Sequence, residues 1–319
     1  MKTPELPTSD SQGMRWLIWV GGIIASDVMT LFLYIGVIWF LQLSQLQFLN
    51  IAIGLPSFFL VPLFGGVTAS FCWRRLKPGV RETALGVLGI IAPGLIGAAL
   101  LLKEGIICLL IVAPIFYAMI FTGALLGRVW FKIDPTRLRL CVFPLLVMLA
   151  AGEPLLRENQ SSVVTDTILI HAQAAKVWPE LTSFPAINTP PQFWMFRIGL
   201  PYPVATTSDG DFVGADRQCI FSGDMVFREK VSVLTPQKDL TFDIVQLPNH
   251  PELIGHVTPH RGQFLLHDNG DGTTTLTGNT WYTLHVRPLW YFDLWTQYIF
   301  REVHLRVMED IRKRAEGAS

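Results

Sequence analysis

The stretch LCVFPLLVMLAA at 140–151, followed after a polar segment by VVTDTILI at 163–170, marks the point where this chain changes its pattern. Before it, long apolar segments recur with few charges. After it, short alternating segments are separated by Asp/Gly turns. Long uncharged apolar segments are typical of helices in lipid, whereas alternation is typical of strands with one buried face. The sequence therefore predicts a membrane region at 1–152 and a water-soluble domain at 153–319.

The membrane region contains five apolar segments, which we predict to be the helices of a multi-pass transmembrane bundle. They cover 16–41, 48–72, 85–102, 106–126 and 140–151. A spanning helix needs about 20 mostly apolar residues, and the first four segments meet this need. The fifth is short and contains Pro144, so it either spans the membrane or forms a re-entrant or surface helix. We favour a spanning helix.

Asp27 lies inside the first apolar segment, where a carboxylate is expensive and is by default a functional candidate. The other interpretation is structural: Ser26, Thr30 and nearby small residues let a neighbouring helix approach and hydrogen-bond the carboxyl group. We favour the structural interpretation, because paired broken helices and further charges, which are typical of transporters, are not evident.

The loops after the second and fourth segments are basic, which predicts the orientation of the bundle. They carry Arg74, Arg75, Lys77 and Arg81, and Arg128, Lys132, Arg137 and Arg139, respectively. By the positive-inside rule, the N-terminus and both loops are cytoplasmic. The C-terminal domain then lies on the far side if segment 140–151 spans, and in the cytoplasm if it does not.

Charge and cysteine usage exclude some classes of function. Residues 1–152 carry eleven Lys/Arg and six Asp/Glu, whereas residues 153–319 carry fourteen and nineteen, so the soluble domain is mildly acidic. Without a basic stripe we expect no nucleic-acid partner. The cysteines lack metal-ligand spacing, and His250, His256 and His260 fall in a Pro-rich stretch without a metal motif, so we expect no metal and no cofactor.

The soluble domain shows strand-length segments between two helical ones. A short helix is predicted at 172–181, interrupted by Pro179, and a long one at 288–316. The predicted strands cover 163–170, 217–221, 225–234, 240–247, 262–267 and 273–286. We expect an α+β fold in which a curved antiparallel sheet wraps the long C-terminal helix, because nothing else remains to cover its apolar face.

Four segments in this order resemble a known superfamily. They are IHAQAAKVWPEL (170–181), GADRQCI (214–220), EKVSVLTPQKDLTF (229–242) and GTTTLTGNTWY (272–282). Together with the terminal helix, they resemble the polyketide cyclase/START-like superfamily, also called SRPBCC or helix-grip. The resemblance covers about 163–316 and none of the membrane region. The tail at 285–315 also resembles bacterial multi-pass membrane proteins that end in such a domain, so we expect a bacterial cytoplasmic membrane.

The resemblance implies a deep, mostly apolar cavity between the sheet and the long helix, used for lipids, polyketides, sterols or quinones. The ligand-binding candidates are aromatic: Phe193, Trp194, Phe196, Phe227, Phe242, Phe264, Tyr282, Trp290, Trp295 and Tyr298. Candidate polar groups of the cavity are Glu229, His260 and Arg261. The alternative is that the aromatic side chains fill the interior themselves, and that the strand charges form solvated cross-strand pairs.

We therefore expect a membrane-anchored module that binds or transfers a hydrophobic small molecule, with the lipid bilayer as its main partner. Two alternatives stay open: a cyclase or hydrolase acting on a hydrophobic substrate, and a cavity-less domain that docks a membrane protein. The sequence assigns no catalytic residue, since none of the common catalytic motifs occurs.

Overall fold

The computed structural model describes residues 9–43, 59–133 and 161–317, and the chain divides into two compact units at 1–157 and 158–319. The first unit is helical. Its helices are α1 (Ser9–Leu43), α2 (Val61–Trp73), α3 (Val80–Gly97, extended by a π-helical turn at Ala98–Leu102) and α4 (Ile106–Ile133). The predicted segment at 140–151 and the start of the segment at 48–72 lie outside the described residues.

Three helices of this unit are long and apolar enough to cross a membrane. The qualifying stretches are Gln12–Gly36 in α1, Val80–Leu100 in α3 with its π turn, and Ile106–Lys132 in α4. Helix α2 is also apolar but has only 13 residues. The prediction of an apolar helical region is thus confirmed for these segments.

Glycines allow the helices of the first unit to approach each other closely. A Cβ atom added at Gly66 of α2 would overlap the backbone carbonyl of Ile120 in α4, and one added at Gly123 would overlap that of Leu63. In lipid, helices gain little from burying apolar surface, so close packing at small residues drives their association. The α2–α4 contact therefore depends on these glycines.

We predict that Gly66→Ala destabilises the first unit while Gly21→Ala does not. The added methyl group at Gly66 must displace backbone, which costs about 1–3 kcal/mol. Gly21 faces open space on α1, where alanine is favoured over glycine by up to about 1 kcal/mol. Thermal unfolding of the full-length protein in detergent, followed by fluorescence-detected size exclusion, measures both. Equal melting temperatures for the two variants would contradict the proposed role of Gly66.

The second unit is a seven-stranded antiparallel sheet with one long helix. The elements run β1 (Ser161–Ile170), α5 (Ala174–Val177), α6 (Pro179–Thr182), α7 (Trp194–Arg197), β2 (Pro203–Ser208), β3 (Asp216–Phe221), β4 (Met225–Thr235), β5 (Asp239–Gln246), β6 (Val257–Asp268), β7 (Thr274–Leu284) and α8 (Leu289–Ala315). The strand order is β1-β7-β6-β5-β4-β3-β2, so β1 and β2 form the edges.

The sheet is curled, as shown by the contacts of both edge strands with the same helix. His304 of α8 contacts Asp166 on β1 at 2.8 Å, and Arg306 donates to the backbone oxygen of Pro203 on β2 at 3.0 Å. A flat seven-stranded sheet would separate its two edges by several strand spacings of about 4.8 Å each. The predicted curved sheet around a C-terminal helix is confirmed, and it is consistent with a helix-grip fold.

The structure corrects the predicted elements at four places. Strand β2 was not predicted, and β6 begins at Val257, inside the stretch that the sequence assigned to a loop. The predicted helix at 172–181 is two single turns, because Pro179 begins the second one. The long helix ends one residue earlier than predicted and starts one residue later.

Candidate functional site

The interior of the second unit is filled at one end of the sheet. There a core cluster joins α5, α6 and the last turns of α8 to the inner face, with Leu181, Leu240, Leu276, Met308 and Ile311 fully buried. Only the second half of α8 contributes buried residues to this core. The first half of α8 lies over the opposite end, where β7 finishes.

Inward-facing side chains at that opposite end are less completely covered than those of the core. Phe221 of β3 and Ile244 of β5 occupy inward-facing positions, yet each is partly exposed, and Cys219 lies at the next inward position of β3. Their inward neighbour Phe227 is buried and lies 4.8 Å from Phe221, ring to ring. We call this less covered end of the sheet the open end.

Exposed apolar side chains surround this end, and we call them the apolar rim: Trp194, Ile198, Trp290, Leu294 and Tyr298. Trp290 is 74 % exposed and Leu294 67 %. Positions 290, 294 and 298 share one side of α8 at four-residue spacing. The ring of Phe193 joins the two parts of the rim, since it lies 5.1 Å from Tyr298 and 6.1 Å from Trp194.

A buried ion pair lies on the inner face between β3 and β4. Arg217 and Glu229 are cross-strand partners, and a guanidinium nitrogen contacts a carboxylate oxygen directly. Arg217 also lies over the ring of Phe242 at 4.4 Å. Burial raises the pKa of Glu229, and the charge of Arg217 opposes that shift. Removing one partner of such a pair typically costs 3–5 kcal/mol, because the other charge is left buried alone.

A second polar group joins the sheet to α8 at the boundary between the filled and open ends. Asp166 of β1 contacts His304 Nδ1 at 2.8 Å, and Thr280 Oγ1 of β7 lies 2.7 Å from His304 Nε2. Asp166 is 8 % exposed and His304 7 %, whereas Thr280 is partly exposed. The Nε atom of Arg301 lies 3.7 Å from the other carboxylate oxygen of Asp166.

The aromatic candidates fall into three groups, apart from Phe227, which is buried on the inner face of β4. Trp194, Trp290 and Tyr298 belong to the apolar rim, with Phe193, Phe196 and Trp295 packed beside it. Phe242 and Phe264 belong to the filled core. Tyr282 is fully buried beside the first half of α8, and its hydroxyl donates to Asp293 at 2.5 Å. Burial is the main cause that raises the pKa of Tyr282, and the carboxylate of Asp293 raises it further.

The polar candidates separate as well. Glu229 points inward in its ion pair with Arg217. His260 and Arg261 are exposed at the β6 bulge, and Arg261 Nε donates to Asp243 at 2.7 Å on the outer surface. The structure therefore does not bring these two residues to the interior.

Four interior polar residues were not predicted as site residues: Asp166, Arg217, Thr280 and His304. Asp166 and His304 are 138 positions apart in the chain, so no local spacing connects them. One sequence signal could have indicated such residues: a charged or polar residue at an inward position of an alternating strand, as Asp166 is in VVTDTILI.

No family model matches the chain, and no curated protein matches it. Among solved structures, norcoclaurine synthase from Thalictrum flavum in complex with dopamine and hydroxybenzaldehyde is 13 % identical; the match covers 50 % of this chain and 90 % of that one, with a TM-score of 0.35. A protein from Nitrosospira multiformis is 14 % identical over 47 % of this chain and 94 % of its own, with a TM-score of 0.32. At these values the likenesses carry no functional argument, and the fold rests on strand order and the position of α8.

Cys219 provides a test of the open end. Burial raises the pKa of its thiol to about 12, assisted by the charge of Glu229 and opposed by Arg217. Because the thiolate is the reactive form, we predict that alkylation of Cys219 still accelerates about tenfold per pH unit between pH 9 and 10. An ordinary thiol, with a pKa near 8.5, levels off in that range.

The measurement is iodoacetamide labelling of full-length protein in which Cys72, Cys108 and Cys141 are replaced by serine, with glutathione as the reference thiol. A plateau of the Cys219 rate near pH 9 would contradict the raised pKa. Complete absence of labelling in the folded protein would contradict an open end.

Proposed function

We propose that this protein is a membrane-anchored module that binds a hydrophobic small molecule at the open end of its sheet and exchanges it with the bilayer. The observation that carries the proposal is the coincidence of partly exposed inward residues with the apolar rim at the same end. A purely structural interior would be closed there by the aromatic first half of α8.

The shape of the site favours an apolar ligand with few polar atoms. Phe221, Phe227 and Ile244 lie on its inner face, and burial moves the pKa of the Cys219 thiol still further above physiological pH. Near the rim, the buried Nε1 of Trp295 has no hydrogen-bond partner among the described residues. A buried indole N–H normally finds a partner, so it is suited to donate to one oxygen of a ligand.

The anchor makes exchange with the membrane physically reasonable. The three apolar helices of the first unit hold the domain close to a bilayer, in which an apolar ligand is concentrated. Each methylene gains about 0.8 kcal/mol on leaving water, whether it enters lipid or a protein cavity. Transfer between the two is therefore nearly neutral in free energy and reversible.

The apolar rim is the proposed contact with the bilayer. Tryptophan and tyrosine side chains favour the membrane interface, where their rings contact acyl chains and their polar atoms contact headgroups. Two cations, Arg197 and Arg301, have exposed side chains near the rim and match anionic headgroups.

We predict that Leu294→Asp slows ligand exchange about tenfold, while Val245→Asp leaves it unchanged. Tenfold corresponds to about 1.4 kcal/mol, a reasonable cost for placing one charge in the lipid contact. Val245 is a matched control, since it is 61 % exposed and faces outward on β5. The measurement is transfer of pyrenedecanoic acid from anionic vesicles to the full-length protein in nanodiscs, together with mass spectrometry of molecules retained on purification. The function fails if wild type neither retains an apolar molecule nor takes up the probe.

The orientation is part of the proposal. We infer a cytoplasmic N-terminus in a bacterial cytoplasmic membrane, with the C-terminal domain on the far side, from the basic loop residues and a spanning segment at 140–151. In sealed right-side-out vesicles, added protease is then expected to cleave the domain without detergent. Protection that is lost only on adding detergent places the domain in the cytoplasm and shows that 140–151 does not span.

A further inference from the structure

We propose that Thr280, His304 and Asp166 form a nucleophile, base and carboxylate that accept an acyl group from a carboxylic ester with an apolar acyl chain. This would be an activity beyond ligand exchange; it rests on the proposed ligand site at the open end but not on exchange with the bilayer. It rests on three side chains from three elements, β7, α8 and β1.

With a neutral His304 beside an ionised Asp166, the two hydrogen bonds run in one direction. Asp166 Oδ2 accepts, so Nδ1 of His304 carries the hydrogen at 2.8 Å. In neutral imidazole Nε2 is then the acceptor, and the hydroxyl of Thr280 must donate to it at 2.7 Å. A hydroxyl that donates to an imidazole, which is in turn oriented by a carboxylate, is the arrangement of an activated nucleophile.

The three hydrogen-bonded residues differ in burial: this chemistry requires a buried base and a nucleophile that the substrate can contact. Asp166 and His304 are buried between β1 and α8, so the base is shielded from water. Thr280 is partly exposed although its side chain is on the inner face, two residues from Tyr282 at the open end. Thr280 is therefore the least buried residue of the three.

The three residues do more than connect the helix to the sheet. A structural tie needs only Asp166 and His304, which already join β1 to α8. Thr280 is not needed for that contact, and Arg301 Nε lies 3.7 Å from the other oxygen of Asp166.

The proposed reaction is hydrolysis of an ester, with water as the co-reactant. Thr280 Oγ1 bonds to the carbonyl carbon as His304 Nε2 takes the hydroxyl proton, and the carbonyl π electrons move to oxygen. When these electrons return, the ester C–O bond breaks, and the leaving alkoxide takes the proton from Nε2. Water, deprotonated by the same Nε2, then displaces Thr280 Oγ1, which recovers its proton as the carboxylic acid is released.

The test is covalent labelling of full-length protein in detergent with a decyl fluorophosphonate, read by peptide mass spectrometry. We expect one adduct per chain, on Thr280, in wild type and in Thr280→Ser, and none in the nearly isosteric Thr280→Val. Asp166→Asn and His304→Gln should slow labelling at least about 100-fold, the usual contribution of a positioned base. Thr277→Val is the matched control, because its hydroxyl pairs with Thr167 on the outer face and its loss should leave labelling unchanged.

Thermal unfolding of each variant shows whether it still folds. If the Asp166 and His304 variants do not fold, the comparison of Thr280→Ser with Thr280→Val still tests the nucleophile. An unlabelled folded wild type, an adduct on another residue, or equal labelling of folded Asp166→Asn overturns the site. Hydrolysis of 4-nitrophenyl decanoate, with a burst of one nitrophenolate per chain that Thr280→Val removes, supports it independently. If wild type exchanges pyrenedecanoic acid but does not react with the fluorophosphonate, the catalytic site is overturned and the transfer function is retained.

Discussion

The attachment of both sheet edges to one helix determines the shape of the soluble unit. His304 contacts β1, and two residues later Arg306 contacts the backbone of β2. These strands are the two ends of a seven-stranded sheet, so α8 can reach both only if the sheet curls around it. The curl creates an interior with one wall of strands and one of helix. Whether that interior is filled then depends on the side chains that α8 supplies along its length.

Helix α8 supplies two different surfaces. Its second half presents Val307, Met308 and Ile311 to the core and charged residues to water, as in an ordinary amphipathic helix. Its first half is aromatic on several sides, and none of its residues is fully buried. Exposed apolar surface costs about 25 cal/mol per Å² in water. A segment with Trp290 and Leu294 so exposed is therefore better accommodated against lipid than against water, which agrees with a domain tethered to apolar helices.

The sequence predicted the elements that carry a strong local pattern. Strands β1, β3, β4, β5 and β7 and helix α8 were placed within two residues at most boundaries, because alternation or apolar spacing is visible in each. Strand β2 was missed because PVATTS is short, small and polar, and it is held in place by β3 and by Phe184, not by its own pattern. The start of β6 was missed because Pro259 and His260 suggest a loop, whereas a bulge accommodates them at that point.

The site was predictable only in part, for a related reason. Aromatic residues near the terminal helix were evident from composition, and Trp194, Trp290 and Tyr298 do lie together at the rim. The division of the other aromatic residues between core and rim depends on register, which no single segment contains. Polar contacts such as that between Asp166 and His304 form only when the first strand and the last helix meet. Interior polar residues at inward strand positions were the available signal.

The two interior polar groups lie where they limit the depth of the open end. Thr280 and His304 are between the first half of α8 and the filled core, and Arg217 and Glu229 lie beside Phe242 at the margin of that core. An apolar chain that entered farther would have to displace core side chains or contact a buried charge, both of which are costly. A ligand is therefore expected to end at this polar level, with its apolar part toward the rim. A carbonyl at the inner end of such a ligand would then lie near Thr280, so the proposed binding and the proposed chemistry depend on the same polar residues.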